Sequence, residues 1–192
     1  MEKTKKDIRN LTRSVRDALT KDEMVHKSSR IENHLMNVPE FVNARSVMMY
    51  VSKESEVCTH TILQWLVCNK KHVIVPYCKK GDNKIIAAHI KEYDDLEIGA
   101  YGIMQPREDI IHVVNPETIE VCIVPGIAFD VKGHRIGYGK GCYDIFLHEN
   151  ASKKTKIGLC YQCQVVNEIK TDVHDVAVNV LVTENGITRI ES

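Results

Sequence analysis

The chain has 192 residues, 26 basic and 26 acidic side chains, a formal net charge of zero and 43% hydrophobic residues. That suits one domain over 1–192 with a substantial core, and with no basic face or tail it disfavours nucleic acid as a partner. No apolar run approaches the ~18–20 residues of a membrane span and the charged start has no signal-peptide core, so a cytoplasmic protein without membrane partners is expected.

Residues 3–20 carry Ile8, Leu11, Val15 and Leu19 at the spacing of one helical stripe. Lys5 and Arg9 lie one turn apart on that helix, able to reach one anion or to form a solvated cationic face. Thr20-Lys-Asp-Glu23 fits a capping box. The helix it opens is carried by Met24, Ile31 and Leu35 to about Asn37 and stops before Pro39. Val47–Val51 reads as the first buried strand, Ser52–Glu56 as a polar loop, and Thr59 as the cap of a helix through Ile62, Leu63 and Leu66. Strand, loop and helix make half of a βαβ unit. Ligands in open α/β sheets sit at the carboxyl ends of strands, where Glu56 stands; the bland reading is a solvated loop carboxylate.

Val73–Pro76 is predicted as a second strand ended by its proline, and Lys84–Ile90 as a third after a turn at Gly81-Asp82-Asn83. Residues 92–118, with Gly99, Gly102, Pro106 and Pro116, give only loops and short elements. Val121–Val124 is then an apolar run broken at Pro125-Gly126. A loop follows with glycines at 133, 137, 139 and 141 and cations at Lys132, Arg135 and Lys140, closing on the helix start Cys142–Leu147. Successive glycines can turn backbone N–H groups onto an anion, and the helix N-terminus adds partial positive charge, so a polyphosphate is the suggested cargo. An ordinary surface turn is the competing reading. The spacing is neither the dinucleotide fingerprint nor a P-loop, because Lys140 is followed by Gly141 and Cys142. Asp144, just beyond the cradle, stands where Mg²⁺ could be held.

Lys156–Cys160 reads as a strand and Cys163–Ile169 as a connection, followed by Asp172–Thr183, a turn at Asn185-Gly186 and a last segment to Ile190. His174 and Asp175 are adjacent, and on an extended chain they point opposite ways, which weakens a general-base pair. The seven cysteines are odd in number and scattered, arguing for reduced thiols. Cys160 and Cys163 form a CxxC without the second pair that zinc needs, so half-buried thiols at a strand end are expected.

PGIAFD at 125–130 followed by RIGYGKGCYD at 135–144 resembles the signature of the 5-formyltetrahydrofolate cyclo-ligase (methenyltetrahydrofolate synthetase) family. Further matches are K-x-x-x-R at Lys5–Arg9, S-x-x-x-E at Ser52–Glu56, and the H-D element at His174-Asp175 with Val178 and Thr183, so the resemblance runs from Lys5 to Thr183. Three positions depart from the pattern. Tyr138 stands where the family usually has Arg, Cys142 where it has Tyr, and Asn179 at the second acidic position, linked to the metal.

The resemblance implies an α/β fold: a single three-layer domain with a mixed, largely parallel sheet between helices, similar to the ribose-phosphate isomerase and CoA-transferase relatives. It implies an ATP- and Mg²⁺-dependent cyclising C–N ligase that converts 5-formyltetrahydrofolate to 5,10-methenyltetrahydrofolate, with small-molecule partners only and acting as a monomer. By the same resemblance ATP would be bound by Lys5, Lys6, Arg9, Arg135, Lys140, Tyr143 and the backbone of Gly137, Gly139 and Gly141. Arg135, Lys140 and Tyr143 would be catalytic. The folate would meet Arg9, Val51, Glu56, Tyr138, Cys142 and Tyr143, and Mg²⁺ would sit at Asp144 and Asn179. The departures leave two rivals: a binding-only paralogue, or an ATP-dependent phosphotransferase acting on another small heterocycle.

Overall fold

Two capped helices open the chain in the computed structural model, which describes residues 4–79, 81–82, 84–99, 102–150 and 154–191. Lys3 and the Asn83 of the expected turn lie outside them. Helix α1 (Lys5–Asp17) is held at its start by a reciprocal Thr4–Asp7 box, and α2 (Lys21–Leu35) by the predicted Thr20–Glu23 box. Each box satisfies two N–H groups that a helix start leaves without intrahelical partners. Pro39 does more than stop α2: it opens a short helix, α3 (Pro39–Asn43), where a missing N–H costs nothing.

The remaining elements alternate. Strand β1 (Ser46–Met49), helix α4 (His60–Cys68) and strand β2 (His72–Tyr77) form a parallel βαβ unit. Strands β3 (Ile86–Ile90), β4 (Leu96–Ile98), β5 (Met104–Pro106) and β6 (His112–Val113) follow. Then come β7 (Val121–Val124), β8 (Ala128–Asp130), β9 (Arg135–Ile136) and helix α5 (Cys142–Asn150). The chain closes with β10 (Thr155–Leu159), β11 (Val165–Val166), β12 (Val180–Thr183) and β13 (Gly186–Arg189).

Eight strands share one sheet in the order β13-β12-β10-β7-β1-β2-β3-β6, parallel from β12 to β2 and antiparallel at both margins. The sheet is mixed and largely parallel, as expected. Its alternation builds two cores. Val47, Met49, Val121, Ile123, Ile157 and Val182 face the helices α2 and α4 with Ile31, Leu35, Ile62 and Leu66. Met48, Cys122, Val124 and Leu181 face α5 with Phe146 and Leu147.

Three local expectations are corrected. Proline does not end β2: Pro76 lies inside the strand, paired with Ala87 of β3 but past Ile74, the last residue paired to β1. On that side no ladder bond is lost by a residue without an N–H. Thr59 sits at the N-cap of α4, yet its hydroxyl makes no cap bond and instead donates to Tyr50 O at 2.9 Å and accepts from Ser52 N at 2.9 Å, tying down the loop after β1. In α1, Leu11 and Val15 are 52% and 44% exposed, and the buried face is Ile8, Thr12 and Arg16. Helix α1 does not lie on the large sheet. It packs on β8 and the turn at Gln162–Gln164, where Ile8 meets Ala128, Ile136 and Ile169.

Candidate active site

The carboxyl ends of β1, β2 and β7 point the same way because these strands are neighbours in one parallel run. Tyr50, Val51, Lys53 and Glu56 follow β1, Cys78 follows β2, and Pro125 follows β7; all line one cavity of about 460 Å³. Its other wall is the loop from Arg135 to Asp144, and Lys5, Arg9, Gln105 and Asp175 complete it.

The signature loop has an internal scaffold. β8 and β9 form a small hairpin, Ala128 opposite Ile136, with β11 parallel on the other edge of β8. The aspartate of PGIAFD is structural: Asp130 is fully buried and accepts from the backbone N–H groups of Lys132, His134 and Ile169 at 2.9–3.0 Å. A buried carboxylate is tolerated only with such partners. Gly126 lies against Phe129, since a Cβ there would be 2.6 Å from the ring. Beyond β9 the backbone turns at Gly139 and Gly141, with φ of +100° and +67°, the left-handed region that glycine enters without strain. Gly141 and Cys142, at the start of α5, line the cavity, so the positive end of that helix is presented to it.

Charged groups gather at this end. Arg135 is 6% exposed and donates from Nη2 to Asp144 Oδ1 at 2.7 Å, with its Cζ 5.8 Å from the ring centroid of Tyr143. Burial lowers the pKa of Arg135 against the pull of Asp144. Burial also pushes the Asp144 carboxyl up, with the charge of Asp175 adding and Arg135 opposing. Lys5 Nζ is 2.6 Å from carboxylate oxygens of both Asp172 and Asp175. Burial alone would raise Asp175, but Lys5 and the Asp172 N–H outweigh it and hold its pKa low. Arg135 Nε and Tyr143 OH are buried without a hydrogen-bond partner among the described residues. Two orphaned donors on one cavity wall are what a polar ligand would satisfy.

Glu56 also lines the cavity; its Oε2 accepts from Lys53 N at 3.0 Å, and its Oε1 accepts from the Tyr138 hydroxyl of the glycine loop. Arg9 lines the cavity and donates from Nε to Gly137 O at 2.9 Å, buttressing the glycine loop.

The structure therefore brings together Lys5, Arg9, Val51, Glu56, Arg135, Gly137, Tyr138, Gly139, Lys140, Gly141, Cys142, Tyr143 and Asp144. Two expected residues stand apart. Lys6 is exposed and does not line the cavity, because its neighbour on the helix, Lys5, takes the inward position. Asn179 does not reach Asp144: its Oδ1 accepts from Lys156 N at 2.9 Å and its N–H donates to Lys156 O, fastening the start of β10. Asp175 lines the cavity with Asp144, Glu56 and Asp82; the sequence offered it only as half of a weak His-Asp pair and as a match to the family's H-D element. His174 is exposed, its ring packed edge-on to His148. Lys53, Cys78 and Gln105 were also missed; burial pushes the Cys78 thiol up to about 11. A tripeptide spacing cannot reveal such residues, because loop folding alone brings them in.

All seven cysteines are free. Cys160 faces the α5-side core and Cys163 packs against the other. Among the described residues no group of three or more His, Cys, Asp or Glu side chains is arranged to hold an ion, and no helix is long and apolar enough to cross a membrane.

The model of the 5-formyltetrahydrofolate cyclo-ligase family matches residues 1–184. A 5-formyltetrahydrofolate cyclo-ligase of Haemophilus influenzae is 28% identical, over 90% of this chain and 93% of that protein. One of Saccharomyces cerevisiae is also 28% identical, over 95% and 96%. The solved 5,10-methenyltetrahydrofolate synthetase of Aquifex aeolicus superposes with a TM-score of 0.85 at 33% identity, over 98% of this chain and 93% of that one.

Proposed function

The chain belongs to the 5-formyltetrahydrofolate cyclo-ligase family, and from that premise we propose that it closes 5-formyltetrahydrofolate to 5,10-methenyltetrahydrofolate while ATP goes to ADP and phosphate. The observation that carries the reading is the lining of one cavity, where a glycine loop, a helix N-terminus and cations share the wall with the Glu56 carboxylate. Phosphate suits the loop and its cations, and the paired N–H and amino donors of a pterin suit the carboxylate.

The formyl oxygen is a poor leaving group. Attack on the γ-phosphoryl group makes it an iminophosphate, and nitrogen 10 of the folate then closes the ring and expels phosphate. No protein nucleophile takes part, so the chain must supply positioning and charge stabilisation. Lys5, Arg9, Arg135, Lys140 and the backbone of Gly137, Gly139 and Gly141 take the triphosphate. Arg135 and Lys140 offset charge on the transferring phosphoryl group, and Tyr143, with its unpartnered hydroxyl, stands beside the formyl group. Val51, Glu56, Tyr138 and Cys142 receive the folate.

Mg²⁺ fits the Asp144 and Asp175 carboxylates, which line the same cavity; burial raises the Asp144 carboxyl and the charge of Asp175 adds to it. Two carboxylates with phosphate oxygens and water are the usual Mg²⁺ ligand set, so no larger protein cage is needed. The ion would offset phosphate charge. The proposed enzyme is cytoplasmic and monomeric, with small molecules as its partners; the seven scattered free thiols support a reducing compartment.

The test is the absorbance of the methenyl product with 5-formyltetrahydrofolate, ATP and Mg²⁺. Growth that needs ATP and is lost in Lys140→Ala and Asp144→Ala is expected. A flat trace from folded protein overturns the reading and leaves a binding-only relative.

A further inference from the structure

Among the described residues Arg16 is the least exposed arginine, 2% exposed on the inner face of α1, and it does not line the large cavity. A buried guanidinium needs acceptors for its N–H groups. Arg16 Nε donates to Ser55 Oγ at 3.0 Å, Nη1 to the Tyr138 hydroxyl at 3.3 Å, and Nη2 to Asp17 Oδ1 at 3.5 Å. Its Cζ lies 6.0 Å from the Tyr138 ring centroid, within cation–π range. Ser55 in turn donates to Asp17, so the guanidinium is joined both to the residue before Glu56 and to the tip of the glycine loop.

The direction of these bonds is fixed by chemistry. A guanidinium only donates and a carboxylate only accepts. The Tyr138 oxygen therefore accepts from Arg16, and its single hydrogen goes to Glu56 Oε1. The chain Arg16 to Tyr138 to Glu56 has one polarity, which strengthens each bond. Burial works against the charge of Arg16, but Tyr138, Glu56 and Asp17 outweigh it and its pKa stands above the ordinary value.

We propose that Arg16 is a positioning residue for the folate: acting through the Tyr138 hydroxyl and Ser55, it sets the Glu56 carboxylate in the one orientation that meets the pterin edge. This rests on the reading of Glu56 given above. It also accounts for the tyrosine at 138. The cation that the loop lacks is delivered from α1, one hydroxyl away.

The test compares Arg16→Met, which keeps the apolar stem, Tyr138→Phe, which removes one hydroxyl, and the double variant. Calorimetric binding of 5-formyltetrahydrofolate without ATP is measured beside the KM for ATP and the melting temperature. Each single variant should weaken folate binding about tenfold, the worth of one charge-assisted hydrogen bond. The KM for ATP should stay within about twofold, and the double variant should be no worse than either single, since both act on one chain of bonds. Unchanged folate binding in folded Arg16→Met overturns the proposal, and so do losses that multiply in the double variant. If Arg16→Met does not fold, Arg16→Lys, which keeps the charge but loses the fork of donors, decides: a loss confined to folate supports the relay, and an equal loss on ATP or none at all overturns it. Wild-type protein that binds ATP but no 5-formyltetrahydrofolate would sink the parent reading, and this inference with it.

Discussion

Lys5 and Asp175 are 170 positions apart, yet the ammonium of one lies 2.6 Å from a carboxylate oxygen of the other. The contact joins the first helix to the segment before β12, and both residues line the cavity that Asp144 lines. Against the effect of burial, Lys5 offsets the charge of Asp175 and lowers the pKa of its carboxyl.

Activity titrated with Mg²⁺ separates the candidate ligands. Asp175→Asn and Asp144→Asn should raise the Mg²⁺ needed for half-maximal rate by at least the ~10-fold that loss of an outer-shell partner costs. Asn179→Ala should leave the Mg²⁺ requirement alone and lower the unfolding free energy by about 1 kcal/mol, because its amide fastens β10. The reverse pattern would return the metal to Asn179.

Cys142 lines the cavity at the start of α5, where a low-pKa thiolate nucleophile might be sought. Burial instead raises its thiol pKa, with Lys140 only partly opposing. Cys142→Ala should therefore keep kcat within about threefold, whereas removing a true nucleophile costs orders of magnitude. Single-turnover kinetics of the variant is the check, and a loss of several hundredfold would demand a covalent route.

Phe129 is gripped between two glycines. A Cβ on Gly158 would lie 2.7 Å from its ring and 3.1 Å from Leu181. Gly158→Ala should destabilise by about 1–3 kcal/mol through overpacking under the signature hairpin, seen as a lower denaturation midpoint.

Glu184 is 3% exposed, paired with Lys27, and accepts the Gln162 N–H at 2.7 Å. Burial alone would raise its carboxyl, but Lys27 and that N–H outweigh it and hold the folded pKa below the ordinary value. The stabilisation is thus complete above the unfolded pKa of about 4.3 and fades as pH falls through the lower folded value. Glu184→Gln should melt lower at neutral pH and show a flatter acid limb. Parallel melting curves against pH would show that Glu184 is not a source of acid sensitivity.

Much was legible in the chain alone. The Thr20–Glu23 capping box needed only a hydroxyl and a carboxylate three residues apart, and β1, β7 and α4 needed only their apolar runs, because these are local chemistry. The glycine loop and its helix start were readable for the same reason, as backbone conformation follows from residue type. Tertiary structure decided what sequence distance hides. Leu11 and Val15 form an apolar stripe, but α1 docks on a small sheet through Ile8, and the same buried face carries the Arg16 guanidinium with its distant partners. Asp175 and Asn179 are four positions apart and similar in donor chemistry. Only the fold turned the first into the cavity beside Asp144 and spent the second on the backbone of β10. Which polar side chain becomes a site and which becomes a fastening depends on which neighbour satisfies it first, and those neighbours are distant in sequence, Lys5 lying 170 positions from Asp175 and Lys156 lying 23 from Asn179.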